Sequence, residues 1–149
     1  MTSYGKEDLM EKIPRLTELE MLIMGVLWDN EKDMTIQEIA ENLKEHHLSP
    51  ASVTQAINRM VKKAAVEVSD HIPVSNVYAR TFHPCISREA FAGAEIRRLE
   101  KKIAPKKRLS VNGLMAALLQ NDTGKPVSRQ ELDELQALID HLKSEESDH

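Results

Sequence analysis

The segment 50–63 carries the side chains best suited to chemistry, and that chemistry is the recognition of nucleic acid bases. It contains no acidic residue, as a segment lying beside phosphates requires. Gln55 and Asn58 can pair bidentately with adenine, and Arg59 can do so with guanine. Contacts to phosphate, base or a thymine methyl are predicted for Ser49, Ala51, Ser52, Thr54 and Lys62. The alternative interpretation of these residues is a solvated polar face of a helix.

The elements around this segment favour DNA recognition. Ser49-Pro50 predicts a helix start, because serine is a favoured N-cap and proline at the first helical position loses no hydrogen bond. Its predicted buried stripe consists of Val53, Ile57, Met60, Val61 and Ala64. Capping boxes at residues 17–20 and 35–38 predict two helices before it. Strand-like alternation over 66–69 and 77–82, with a loop at 70–76, predicts a hairpin after it.

Three short helices followed by a hairpin are typical of a winged helix-turn-helix. The predicted hairpin, or wing, carries acidic side chains near its tip, and its nearest clear cation is Arg80. We therefore expect the wing to contact phosphate only through Arg80, His71, Ser75 or Asn76, or not to contact DNA at all. The same acidic wing allows a second hypothesis, a protein-interaction adaptor that does not bind DNA in a sequence-specific way.

Beyond Pro84 the pattern predicts three more helices, the last opening with a capping box at residues 128–131. The first of these helices has a heptad-like apolar seam, which suits pairing with another helix. The predicted dimerisation residues are Ile96, Leu99, Ile103, Leu114, Leu118, Leu132, Leu135, Leu138, Ile139 and Leu142. Their number exceeds what so small a unit can bury alone, so we expect a homodimer. The predicted fold is mainly α with a small β-hairpin: a winged-helix DNA-binding domain at 15–84 and a three-helix dimerisation domain at 85–144.

The distribution of charge and the absence of catalytic motifs favour a nucleic-acid-binding protein over an enzyme. The net charge is −4, but residues 46–120 hold twelve bases against five acids, while both flanking regions are acidic. The run of basic residues at 97–108 either follows phosphates beside the binding site or forms the solvated side of a dimer helix; we favour the second interpretation. No glycine-rich phosphate loop and no nucleophile elbow is visible, so an enzyme is not expected.

No metal site, cofactor or membrane segment is predicted. His83 and Cys85 are close in sequence, but two ligands do not make a metal site. Because Cys85 is the single cysteine, an internal disulfide is impossible, which favours a cytoplasmic protein. No apolar run reaches the length of a membrane span, and the first residues lack the apolar region of a secretory leader.

The order of these motifs resembles the penicillinase repressor family, which includes the methicillin-resistance repressor and a copper-responsive relative. The matching stretches are Leu16–Glu20 with Val26–Trp28, Thr35–Ile39, Val53–Arg59 with Lys62-Lys63, Tyr78–Pro84, Ser87–Glu89, Leu114–Leu119 and Glu131–Leu135. Together they extend over residues 15–143.

The resemblance implies a homodimeric transcriptional repressor that binds an inverted-repeat operator on double-stranded DNA. In the best-known members, a membrane sensor protease leads to cleavage of the repressor at an Asn-Phe pair in its tail. The corresponding region here is Ala117-Leu118, which lacks that pair. The copper-responsive member uses a cluster of cysteines in its tail, and this tail has none.

Overall fold

The first two helices begin where the capping boxes predict. The computed structural model describes residues 12–74, 77–120 and 126–147, with only the backbone for 71–74, 77 and 78. Helix α1 spans Glu18–Asp29 and helix α2 spans Ile36–Asn42. In each, the hydroxyl of the threonine before the helix accepts from the amide of the third helical residue, which is a glutamate. The carboxylate of that glutamate accepts from the threonine amide. Four backbone amides at the helix starts are satisfied in this way, which stabilises both helices.

Helix α3, Pro50–Lys62, packs one face on α1 and α2 and begins as predicted. The Ser49 hydroxyl accepts from the Ser52 amide at 3.1 Å, and Pro50 occupies the first turn. The inward face differs in part from the predicted stripe: Val53, Ile57 and Met60 are buried, but Val61 and Ala64 are exposed. Ala56 is buried in their place, because α1 and α2 cover the side of α3 on which it lies.

The end of α3 is closed by a residue in the left-handed conformation. Ala64 has φ 62°, the Ala65 amide donates to the Met60 carbonyl at 2.9 Å, and the Ala64 amide donates to the Val61 carbonyl at 3.0 Å. These two bonds form a Schellman motif, which usually places glycine at this position. Alanine has a Cβ that disfavours positive φ, so the turn into the next strand is strained.

The strands form a small antiparallel sheet in the order β1-β3-β2, with β1 at Met34–Thr35, β2 at Val66–Val74 and β3 at Val77–Pro84. The sequence did not predict β1, because two residues are too few to show a period. The predicted loop at 70–76 is too long, since β2 continues through Pro73. A proline is tolerated there because β2 is an edge strand. Near Ser69 a bulge shifts the register between Val68 and Asp70.

Helix α4, Arg88–Ile103, is attached to the end of α1 by an aromatic contact. The Trp28 indole Nε1 donates to the Ile86 carbonyl at 2.9 Å, and the Trp28 and Phe91 rings lie 6.0 Å apart. Arg88 forms an ion pair with Asp29 and lies over the indole at 5.8 Å. We call this group of contacts the Trp28 junction. It fixes the start of α4 against the winged helix.

The chain divides into two compact units after Ile103, so α4 belongs to the first unit. The predicted domain boundary between residues 84 and 85 stays a prediction, and the Trp28 junction is the physical reason that α4 packs with the first unit. The second unit contains α5, Val111–Gln120, and α6, Arg129–Ser147. The capping box predicted for α6 is present, with Ser128 and Glu131 exchanging two bonds of 2.9 and 3.1 Å. None of the helices within the described ranges has the length and apolarity that crossing a bilayer requires.

The strained turn at Ala64 yields a stability prediction. Replacing Ala64 with glycine removes the Cβ at positive φ, so we expect the free energy of unfolding to rise by about 1 kcal/mol. Urea unfolding followed by circular dichroism measures this change. The control is Ala56→Gly in the middle of α3, which should lower the free energy of unfolding by about 1 kcal/mol or more, because it weakens the helix and removes a buried methyl group. An equal loss from both substitutions would show that Ala64 is not strained.

Candidate nucleic-acid interface

The outer face of α3 presents most of the predicted base-reading side chains to solvent. Gln55, Asn58 and Lys62 are exposed, as are Ser49, Ala51 and Arg59, whereas Ser52 and Thr54 are half-buried. The helix is held from the opposite side by its buried apolar residues, so this face does not contribute to the core of its own unit. The arrangement suits a helix that enters a groove of a duplex.

Two hydroxyls on this face are already used within the helix. The Thr54 hydroxyl donates to the Pro50 carbonyl at 2.8 Å, and the Ser49 hydroxyl donates to that of Ser52 at 3.1 Å. Each oxygen keeps capacity to accept a further hydrogen bond. Phosphate oxygens cannot donate, so Thr54 in this rotamer suits a base amine better than a phosphate.

Arg59 has a partner inside the protein that the sequence did not reveal. Its Nε lies 3.2 Å from Oε2 of Glu20, and Nζ of Lys63 lies 2.5 Å from Oε1 of the same carboxylate. The Glu20 side chain has no exposed surface, whereas those of Arg59 and Lys63 are 48% and 32% exposed. We call these three residues the Glu20 triad. It joins the capped start of α1 to the end of the exposed polar face of α3.

The triad was missed because its members lie 39 and 43 positions apart in sequence. Glu20 was predicted as the last residue of a capping box, a role it does fill through Oε1 and the Thr17 amide at 2.9 Å. One signal pointed further: position 20 lies one turn before Ile23 and Met24, on the face of α1 that packs inward. A charged residue on a buried face requires partners of opposite charge.

Burial alone would raise the pKa of Glu20, but three hydrogen bonds oppose it. They come from Lys63, the Thr17 amide and Arg59, and together they hold the pKa of Glu20 below its ordinary value. The carboxylate is therefore ionised at neutral pH, and the triad carries one net positive charge.

On the wing, Arg80 is exposed, and its guanidinium lies 5.4 Å from the centre of the buried Phe82 ring. This contact holds the cation near the middle of β3. Ser75 and Asn76, and the side chain of His71, lie outside the described residues. Two exposed acids, Glu67 and Asp70, are on the neighbouring strand β2.

His83 lies between two carboxylates at the base of the wing. Its Nε2 is 2.7 Å from Oε1 of Glu67, and its Nδ1 is 3.6 Å from Oδ2 of Asp33. Desolvation of the thiol, together with the charge and hydrogen bonding of Glu67, raises the pKa of nearby Cys85, so this thiol stays protonated at neutral pH. Within the described ranges, no three His, Cys, Asp or Glu side chains are arranged to hold a metal ion.

The predicted dimerisation residues lie on helices that leave them largely uncovered. In α4, Phe91 and Ala94 face inward, whereas Leu99 and Ile103 are 50% and 59% exposed. In the second unit, considered by itself, Leu114 and Leu135 are half-buried, and the others are exposed: Leu118, Leu132, Leu138, Ile139 and Leu142. In the basic run, Arg97 pairs with Glu100 and Arg98 with Glu95. Arg98 also donates to the Ile13 carbonyl, and only 19% of its side chain is exposed, so this part of the run packs against the segment before α1.

The helix order, the hairpin and the polar face of α3 define a winged-helix DNA-binding regulator. The chain belongs to the penicillinase repressor family, whose sequence pattern matches residues 16–141. It is thus a transcriptional repressor, a class of regulators that are not enzymes. The predicted fold class and the predicted family are both confirmed.

Comparison with curated proteins gives no significant match. Among solved structures, the chain is similar to the adhesin competence repressor (AdcR) of Streptococcus pyogenes, at 17% identity and a TM-score of 0.42, covering 95% of this chain and 90% of that one. It is also similar to a variant of ZitR from Lactococcus lactis, at 19% identity and a TM-score of 0.39, covering 88% and 75%. These similarities are too distant to bear on the site.

The lowered pKa of Glu20 predicts a specific pH dependence of stability. Because the folded pKa lies below the unfolded one, the ionised carboxylate stabilises the fold at neutral pH, and this contribution is lost as pH falls through the folded pKa. We expect the difference in free energy of unfolding between the wild type and Glu20→Gln to be constant above about pH 5.5. Below about pH 4.5 the difference should shrink. Urea titrations at a series of pH values measure it, and a difference that widens in acid would mean that burial dominates the pKa.

Proposed function

We propose that the chain is a cytoplasmic, homodimeric repressor that places one α3 helix in each of two major grooves of an inverted-repeat operator. The observation that carries the proposal is the outward, acid-free face of α3, with Gln55, Asn58 and Arg59 exposed along it. Family membership supports repression, and the α3 face supports base recognition as its means. On this proposal the predicted DNA-binding residues contact the operator, with Arg80 reaching a phosphate from the wing.

Dimerisation is supported by the apolar side chains that remain uncovered on α4, α5 and α6. A second copy of the chain would remove them from water, at about 25 cal/mol for each Å² of apolar surface. A two-fold dimer also explains how one short helix per subunit can select a long site, because two half-sites are read together.

Release of the operator by a membrane sensor protease is the remaining part of the family-based proposal. Ala117 and Leu118, the counterparts of the family's cleaved pair, are exposed and lie within α5. Because proteases act on locally opened backbone, cleavage there requires α5 to unfold first.

The central experiment is selection of bound sequences from random duplexes with the full chain. We expect an enriched inverted repeat, with affinity that falls about 100-fold or more for a fourfold rise in salt, because several phosphates are contacted. Arg59→Ala should weaken binding by about 10- to 100-fold, equivalent to about 1–3 kcal/mol. Fluorescence anisotropy measures both effects. Absence of any enriched sequence would instead favour the protein-interaction adaptor, which the acidic residues of β2 allow.

The proposed dimer is tested with Leu138→Glu, which places a carboxylate on an exposed apolar position of α6. Each subunit loses about 1.5 kcal/mol or more of apolar burial, so the dimer dissociation constant should rise about 100-fold or more. Sedimentation equilibrium measures this constant. The control is Gln136→Glu, which adds the same charge at an exposed polar position of the same helix. A wild type that is monomeric at micromolar concentration would contradict the dimer.

A further inference from the structure

The Glu20 triad goes beyond what capping of α1 requires. A capping box needs one glutamate oxygen, and Oε1 of Glu20 already accepts from the Thr17 amide. The second oxygen, Oε2, is directed at Arg59. Glu38, in the same position of the α2 capping box, uses its second oxygen for Lys32, an exposed residue outside α3. Both glutamates therefore cap a helix, but only Glu20 is bonded to the base-reading face.

The bond to Nε restricts how Arg59 can meet a base. A guanidinium presents two pairs of donors in a plane, one pair containing Nε and the other formed by the two Nη groups. The Nε of Arg59 is engaged by Glu20, so the pair that contains Nε is partly occupied. The outer edge with both Nη groups is left for guanine O6 and N7, which lie within reach of such a fork.

We infer that Glu20 is a positioning residue for base recognition, which holds Arg59 by Nε so that its outer edge faces a guanine of the operator. The inference rests on the proposed function and adds to it a residue that lies outside the DNA-contacting surface. Glu20 itself is fully buried and cannot touch DNA.

Two physical effects follow from this arrangement. Arginine has up to about 2 kcal/mol of rotamer entropy, and holding it before binding reduces what is lost when the base contact forms. At the same time, the carboxylate neutralises one of the two cations, which weakens attraction to any phosphate backbone. Glu20 thus favours the correct base pair and disfavours random DNA.

These opposite effects separate a positioning role from a merely structural one. In Glu20→Gln the amide retains one oxygen, so α1 can still be capped while Arg59 and Lys63 lose their ionised partner. We expect about tenfold weaker binding to the selected operator, with the guanine preference relaxed at one symmetric pair of positions. Binding to a scrambled duplex of equal length should be unchanged or tighter. Loss of capping alone would instead lower both affinities together.

The matched control is Glu38→Gln, which makes the same chemical change in the other capping box. We expect it to leave both affinities and the base preference unchanged, because Glu38 is bonded to Lys32 rather than to α3. The double variant completes the test: once Arg59 is replaced by alanine, Glu20→Gln should not weaken operator binding further. Additive losses from the two substitutions would overturn the inference.

A measurement on the unaltered protein covers the case in which Glu20→Gln does not fold. In nitrogen-15 spectra of the free wild type, the Nε–H group of Arg59 should be ordered, whereas that of Arg129, exposed on α6, should be mobile. Equal mobility of the two would overturn the inference. If Glu20→Gln leaves the base preference unchanged, the inference is overturned and the proposed function stands. If the wild type selects no operator, the proposed function is overturned together with the inference.

Discussion

The packing of α1 against α3, and with it the proposed base-reading face, depends on one buried carboxylate. Glu20 lies in the first turn of α1, close to the C-terminal end of α3. Its two oxygens accept from the Thr17 amide before α1 and from the side chains of Arg59 and Lys63 at the end of α3. A carboxylate without exposed surface is tolerable only when its charge is matched and its lone pairs are filled. Arg59 and Lys63 meet that requirement, and in doing so they become fixed to the core. Arg59 of α3 and Lys63, the residue after it, are therefore the cations bonded to the interior.

Local chemistry explains how far the sequence alone could lead. The capping boxes, the Ser49-Pro50 helix start and the two longer strands are encoded within a few residues, so they could be predicted directly. The two-residue β1 and the Glu20–Arg59 bond join distant parts of the chain, and no local pattern reports them. Val61 and Ala64 were placed in the core because periodicity does not show where α3 ends its contact with α1 and α2. The proposal that α3 is the base-reading helix rests on residue types, because acid-free polar faces are visible in sequence, and it stays a prediction.

The assignment of repressor rests on two independent supports. Family membership extends over residues 16–141 and gives the class. The geometry of α3 supports the proposed mechanism, since its apolar side is buried and Gln55 and Asn58 on its polar side are exposed. The wing contributes less, because Arg80 shares the hairpin with two exposed acids of β2, Glu67 and Asp70. Sequence discrimination in the proposed complex therefore falls mainly on α3.

The Trp28 junction affects how well the proposed dimer can bind an operator in which a base pair is inserted between the two half-sites. Trp28 and Arg88 fix the start of α4 against the winged helix. The exposed apolar residues Leu99 and Ile103 of α4 are therefore joined to the winged helix without a flexible linker between them. If Leu99 and Ile103 lie in the dimer interface, the two winged-helix domains cannot rotate freely relative to each other to follow a displaced half-site. One inserted base pair turns a half-site by about 35° around the duplex axis, because about ten pairs make a full turn. The DNA, rather than the protein, would have to absorb that rotation by untwisting.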